Sequence, residues 1–185
     1  MSGLTDRAGG EPPEMGAAVE RAHQAWQESM LRQIETLRQD AQSRAPQLLA
    51  DRCGGSYRNA QLQLSYWGKL VSLSWPDLKA GYEPDGVPVS VFDTAMMLYY
   101  LATADGVPMA DRWIGYRELP DGAFYANAFQ GYSGDRLARI FGERQQAYGS
   151  AAQALEGMHL PGLPGLAYAF QPLPRIRLAT VLYPG

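Results

Sequence analysis

The apolar and polar positions along the chain change period several times, and each period predicts an element. Over residues 14–45, Val19, Ala22, Trp26, Met30, Ile34, Leu37 and Ala41 recur every three or four residues, with Glu20, Gln24, Glu28, Gln39 and Asp40 opposite. At 3.6 residues per turn this draws one apolar stripe, and so a long amphipathic helix. Pro46 begins a short second helix through Leu48 and Leu49, which Gly54-Gly55 closes. Residues 1–13 are polar and rich in Gly and Pro, and they read as a disordered lead-in to a single domain over 14–185.

Strict alternation begins at Gln61. A two-residue Gly68-Lys69 turn pairs Tyr66 with Val71, Leu64 with Leu73 and Leu62 with Trp75. The same register sets Ser65 against Ser72 and Gln63 against Ser74. Apolar then meets apolar and polar meets polar, as in an antiparallel sheet wet on one side. Glycine at the first central position suits a type II′ turn. Residues 77–88 read as a loop. Asp-Gly-Val-Pro occurs at 85–88 and again at 105–108, which reflects shared turn chemistry and not an internal repeat, because the flanks differ.

Between those two turns lies an apolar helix. Ser90 and Asp93 have the spacing of a capping box, and Asp93 also faces the positive end of the helix dipole. Gly106 and Pro108 are expected to end the helix. Its residues are apolar nearly all the way round, which predicts burial on most sides. The run is shorter than the ~20 residues a bilayer span needs. A strand at 113–119 follows and stops at Pro120-Asp121-Gly122. Three short helices carry Phe124, Tyr125, Ala128 and Phe129, then Leu137, Ile140 and Phe141, then Tyr148, Ala151, Ala152 and Leu155. A loop at 158–165 leads to strands at 166–170 and 176–182. The fold expected is α+β. One antiparallel sheet (hairpin 61–75, strand 113–119, strands 166–170 and 176–182) packs on a buried helix 91–104 and on the long N-terminal helix.

Composition narrows the functional classes. The net charge of −3 and pI near 5.4 argue against a nucleic-acid partner, since phosphate binding wants a basic stripe and the arginines here are scattered. A single cysteine, Cys53, excludes an internal disulfide and a CxxC metal knuckle. The first 20 residues have no apolar segment of the signal-peptide kind, so a soluble cytoplasmic protein without a membrane partner is expected.

Candidate chemistry is sparse. HExxH, GxSxG and the phosphate-loop pattern are absent, and His23 and His159 have no readable partner. No metal site is expected, and no cofactor can be assigned. Asp105, Asp111, Glu118 and Asp121 flank the central unit; paired carboxylates can do acid–base work if their environments split their pKa values. Asp105 and Asp121 also suit turns, and Glu118 a solvated strand. Trp113, Tyr116, Phe124, Tyr125, Phe129 and Tyr132 crowd together with Arg112 and Arg117. Arginine beside aromatic faces can hold a planar anion through cation–π contact and a bidentate fork.

These residues also carry a resemblance. Leu98-Tyr99-Tyr100-Leu101, Ala104 to Pro108, and Trp113-Ile114-x-Tyr116-Arg117-Glu118-Leu119-Pro120-x-Gly122 resemble a family of unknown function found mostly in anaerobic bacteria and archaea. Tyr125, Phe129, Leu137 and Phe141-Gly142 continue the match, which is clear over about residues 90–142 and looser through Pro174-Arg175. The resemblance implies an anaerobic setting and no established activity. Some similar proteins carry cysteine-rich iron–sulfur segments, which a chain with one cysteine lacks. Similar proteins also run past the last strand into an acidic stretch.

The reading that best fits is a non-catalytic accessory or ligand-binding protein. Its binding residues would be Trp113, Tyr116, Arg117, Glu118 and Tyr125, taking a small molecule or a protein partner. A carboxylate enzyme (hydrolase or transferase) using Glu118 with Asp105 or Asp121 is one alternative. A structural subunit docking through helix 14–45 is another.

Overall fold

The computed structural model describes residues 13–183, with side chains from Glu28 onward. Among the described residues, six α-helices and eight strands follow one another: α1 (Pro13–Gln42), α2 (Pro46–Cys53), β1 (Ser56–Arg58), β2 (Gln61–Tyr66), β3 (Lys69–Ser74), β4 (Ala80–Tyr82), β5 (Val87–Pro88), α3 (Val91–Thr103), α4 (Gly122–Tyr132), α5 (Gly134–Phe141), α6 (Gln145–Ala154), β6 (Met158–His159), β7 (Leu166–Leu173) and β8 (Ile176–Leu182). The class is α+β, as the pattern predicts. The strands form two antiparallel sheets where one was expected: a five-stranded meander β1–β5 and a three-stranded sheet β6–β7–β8. Short strands appear within both segments read as loops, 77–88 and 158–165.

The hairpin keeps its predicted faces in a different register. Leu62 pairs with Leu73, Leu64 with Val71, and Gln63 with Ser72. The turn is Trp67-Gly68, with φ of +49° and +75°, as in a type I′ turn. The shift is two residues, and side chains alternate with period two, so every apolar position stays on the inner face. A β-region residue with a large side chain rarely adopts positive φ. Tertiary contacts hold Trp67 there: its N–H donates to the Pro172 carbonyl at 3.0 Å, and its ring lies 6.0 Å from that of Phe170. Trp67 thereby joins the two sheets.

Leu62, Leu64, Val71 and Leu73 meet Leu49, Cys53, Met97, Leu98 and Leu101 in the main core, together with Ile34 and Ala41 of α1. Met30 and Leu37 pack at its edge, so this part of the predicted α1 stripe is real. Val19, Ala22 and Trp26 lie outside the residues whose side chains are described. A second cluster of Tyr148, Ala152, Tyr168, Phe170 and Leu182 sits between α6 and the smaller sheet.

α3 begins as read from the sequence. The Ser90 hydroxyl accepts from the Asp93 N–H at 3.1 Å and donates to its carboxylate at 2.6 Å. The other carboxylate oxygen accepts from the Tyr66 hydroxyl, tying the cap to β2. The helix stops earlier than expected, at Thr103, with Ala104 extended; Gly106, at φ +90°, belongs to the turn beyond. Burial is one-sided. Ala95, Met97, Leu98, Tyr100 and Leu101 are buried, whereas Phe92, Met96 and Tyr99 are exposed.

The strand expected at 113–119 does not form. Residues 104–115 carry no helix or strand, and Tyr116–Glu118 makes one 3₁₀ turn. Among the described residues no strand offers this segment a ladder, and the hydrogen bonds its backbone makes are local. The Glu118 N–H donates to the Gly115 carbonyl and the Gly122 N–H to the Leu119 carbonyl.

Cys53 is fully buried, and desolvation pushes its thiol up from the ordinary value. A buried protonated thiol is unreactive. Ellman's reagent is therefore expected to leave the native protein unlabelled and to modify Cys53 fully in denaturant. Rapid labelling of the folded protein would contradict this placement.

Candidate functional site

Two short motifs position a groove. At the end of α2, Gly54 adopts φ +73° and caps the helix, its N–H bonding the Ala50 and Asp51 carbonyls. Pro174 and Arg175, in the tight turn between β7 and β8, dock on this glycine. A Cβ there would lie 3.1 Å from the Pro174 side chain and 3.5 Å from the Arg175 Nε. Arg175 is held by two hydrogen bonds. Its N–H donates to the Tyr100 hydroxyl at 3.1 Å, its Nη2 donates to the Asp51 carbonyl at 3.2 Å, and its Nε is buried without a protein partner. The Tyr100 hydroxyl in turn donates to the Cys53 carbonyl at 2.6 Å. A guanidinium at the C-terminus of α2 also complements that end of the helix dipole.

Arg175, Ile176 and Arg177 form one wall of a groove of about 510 Å³. Residues 109–114 and Leu119 form the other, contributing Asp111, Arg112 and Trp113. Three guanidiniums and one indole thus face one concavity. Among the described residues, none of Arg112, Arg175 and Arg177 is in an ion pair with a carboxylate. Such a set suits an anionic group beside a flat apolar one, by charge-assisted hydrogen bonds and stacking.

Of the five binding residues expected from the sequence, only Trp113 lines this groove, 43% exposed, beside Asp111 and Arg112, which the sequence had singled out for other reasons. Tyr116 instead stacks on Phe129, ring centres 3.9 Å apart and planes 3° from parallel. Arg117 is exposed. Glu118 accepts from the Gly115 N–H at 2.6 Å. Tyr125 lies edge-on to Phe124 at 4.9 Å on the outer face of α4, where Phe124 is 84% exposed. The aromatic crowd is therefore divided between the groove and a solvent-facing helical layer.

Of the four candidate acid–base carboxylates, Asp111 lines the groove and the other three have local roles. Asp105 accepts from the Val107 N–H two residues on, Asp121 takes φ +59° where α4 begins, and Glu118 caps its own 3₁₀ turn. None of the three lines the groove. Among the described residues, no group of three or more His, Cys, Asp or Glu could hold a metal ion.

Arg175, Ile176 and Arg177 escaped the sequence reading. They lie some sixty residues from Trp113, and no period connects them. The one available signal was Pro174-Arg175 between two apolar runs, a turn able to place a cation beside another element.

An α+β protein with two antiparallel sheets and a cationic, aromatic groove is the class these features define. The chain belongs to the family described as Domain of unknown function (DUF3786), whose model matches residues 45–185. No curated protein and no solved structure matches it. Among the described residues, no helix is long and apolar enough to cross a membrane.

Proposed function

We propose that this is a non-catalytic accessory protein of anaerobic metabolism that binds a small planar, anionic molecule in the groove of Arg112, Trp113, Arg175 and Arg177. The observation that carries the reading is the set of three arginines around one tryptophan, against a single carboxylate, Asp111, in the same lining and with no ion pair formed among the described residues. Arg175 is pre-organised by Tyr100, Asp51 and Gly54, so little side-chain entropy is lost when it engages an anion. The indole supplies the flat apolar contact. The anaerobic setting follows from the family resemblance at 90–142.

Anilinonaphthalene sulfonate (ANS), planar and anionic, is a suitable probe. Its fluorescence should rise and saturate on the native protein. Each of Arg112→Ala and Arg177→Ala should weaken binding about tenfold, the loss of one charge-assisted contact. Trp113→Ala should weaken it similarly. Unchanged ANS affinity in the Arg112→Ala/Arg177→Ala double variant would overturn the assignment. Native mass spectrometry after purification without oxygen provides the complementary readout, as a discrete adduct on the 20.3 kDa chain that denaturation removes.

A further inference from the structure

β8 is the longest edge strand among the described residues, and no strand pairs with its outer side. The direction of its backbone groups follows from the ladder. The Ala167 carbonyl accepts from the Leu160 N–H, so Ala167 and Ala169 face β6. Leu166, Tyr168 and Phe170 therefore face β8, where they pair with Leu182, Thr180 and Leu178. The N–H and C=O groups of Arg177, Ala179 and Val181 point away from the sheet. Among the described residues, no hydrogen bond satisfies them.

An unpaired edge of this length is a template for another strand. Short edges elsewhere are weaker templates: β5 and β6 have two residues each and β1 three. A charged side chain on an edge ordinarily guards against pairing. Here the strand's own guard is positive, since Arg177 is the one charged residue of β8, while Arg175 and Arg112 share the groove at its start with a single carboxylate, Asp111. A second copy of the chain would not neutralise them, because Ile176–Leu182 contains no Asp or Glu. An acidic strand would.

We infer that β8 is a docking edge for an extended, acidic peptide segment of a partner protein, which adds a strand beside Arg177, Ala179 and Val181 and places carboxylates on Arg177, Arg175 and Arg112. Main-chain bonds supply the affinity and the arginines supply the selectivity, as in strand addition generally. This goes beyond the small-molecule reading and shares only its arginines.

The test uses a fluorescein-labelled peptide of alternating Glu and Val on the full chain, with a Lys-Val peptide as control. Anisotropy should show the Lys peptide at least about tenfold weaker. Amide exchange followed by NMR should show new protection at Arg177, Ala179 and Val181, with Leu178 and Thr180 unchanged. N-methylating alternate peptide residues in one phase should abolish binding and in the other should be tolerated. Ala179→Pro removes only an outward N–H, an edge position where proline is accepted, and should lose the peptide while keeping ANS. If that variant fails to fold, the N-methylated peptides carry the same test. No peptide binding, binding without protection of those three amides, or tolerance of both methylation phases overturns the inference. ANS binding that persists in any of these cases leaves the groove reading intact, and protection without ANS binding removes the groove reading alone.

Discussion

Replacing Gly55 by alanine is expected to destabilise the protein by about 3 kcal/mol and to lower the melting temperature by roughly 10 °C. The residue follows the Gly54 cap and carries the chain from α2 into β1. A Cβ at Gly55 would run into the main-chain carbonyl oxygen of Gln63 in β2. Backbone in the middle of a five-stranded sheet has no rotamer with which to yield, so either β2 shifts or α2 lifts. Both move Leu49 and Cys53, which are fully buried between them. Gly131→Ala is the matching control. It lies within α4, and nothing stands within 4 Å of its Cβ position. Alanine there should be neutral or stabilising by up to about 1 kcal/mol, from helix propensity. Thermal melts should therefore separate the two variants, Gly55→Ala well below the wild type and Gly131→Ala at or above it. A Gly55→Ala protein that melts with the wild type would show that β1 and α2 are not held together as described.

The second large effect is expected at Tyr100. Tyr100→Phe removes one hydroxyl and leaves the Cys53 carbonyl and the Arg175 N–H without their partner, at a cost of about 2 kcal/mol. It also loosens the main chain that presents Arg175, so ANS affinity should fall although Tyr100 does not line the groove. Alkaline pH tests the burial of this hydroxyl. Burial raises the phenol of Tyr100 above its ordinary value of 10.0. In the unfolded chain the phenol titrates near that ordinary value, so at higher pH the unfolded state binds fewer protons than the native state. Stability from this group is thus fully present below pH 10 and declines as pH rises from there through the folded value. The phenylalanine variant lacks the decline. Its deficit relative to the wild type, measured by urea unfolding, should narrow between about pH 8 and about pH 10.5. Tyr66, Tyr82 and Tyr148 are raised too, but both proteins share them and their contributions cancel. A deficit that is constant with pH would show that the hydroxyl is not buried as described.

Much of the fold was legible in the chain because its cause is local. The inner face of the hairpin follows from alternation over 61–75, and it survived a two-residue error in register because that error preserves parity. The α3 cap at Ser90 and Asp93, the α2 stop at Gly54 and the short helices after Gly122 are set by residues within one turn of each other. The failed strand at 113–119 has the opposite origin. Trp113, Ile114 and Tyr116 have β propensity, but propensity forms a strand only beside another strand, and the sheets close without them. The exposed side of α3 fails for a similar reason: an apolar composition states what could be buried, not which neighbours arrive.

The candidate groove divides the same way. Arg112 and Trp113 could be singled out from the sequence, since a cation beside an indole is a pattern two residues long. Their partners Arg175 and Arg177 come from a different sheet, delivered by a turn that docks on a helix C-terminus more than a hundred residues earlier. By itself, then, the sequence determined the elements, their caps and which faces are apolar, because periodicity and capping act over one or two turns. Only the tertiary structure decided that the strands split into two sheets, that Trp67 could occupy a left-handed turn, and that three arginines share one groove with an open β8 edge beside it. Those outcomes depend on which distant surfaces exclude water from one another, and no short stretch of chain specifies that.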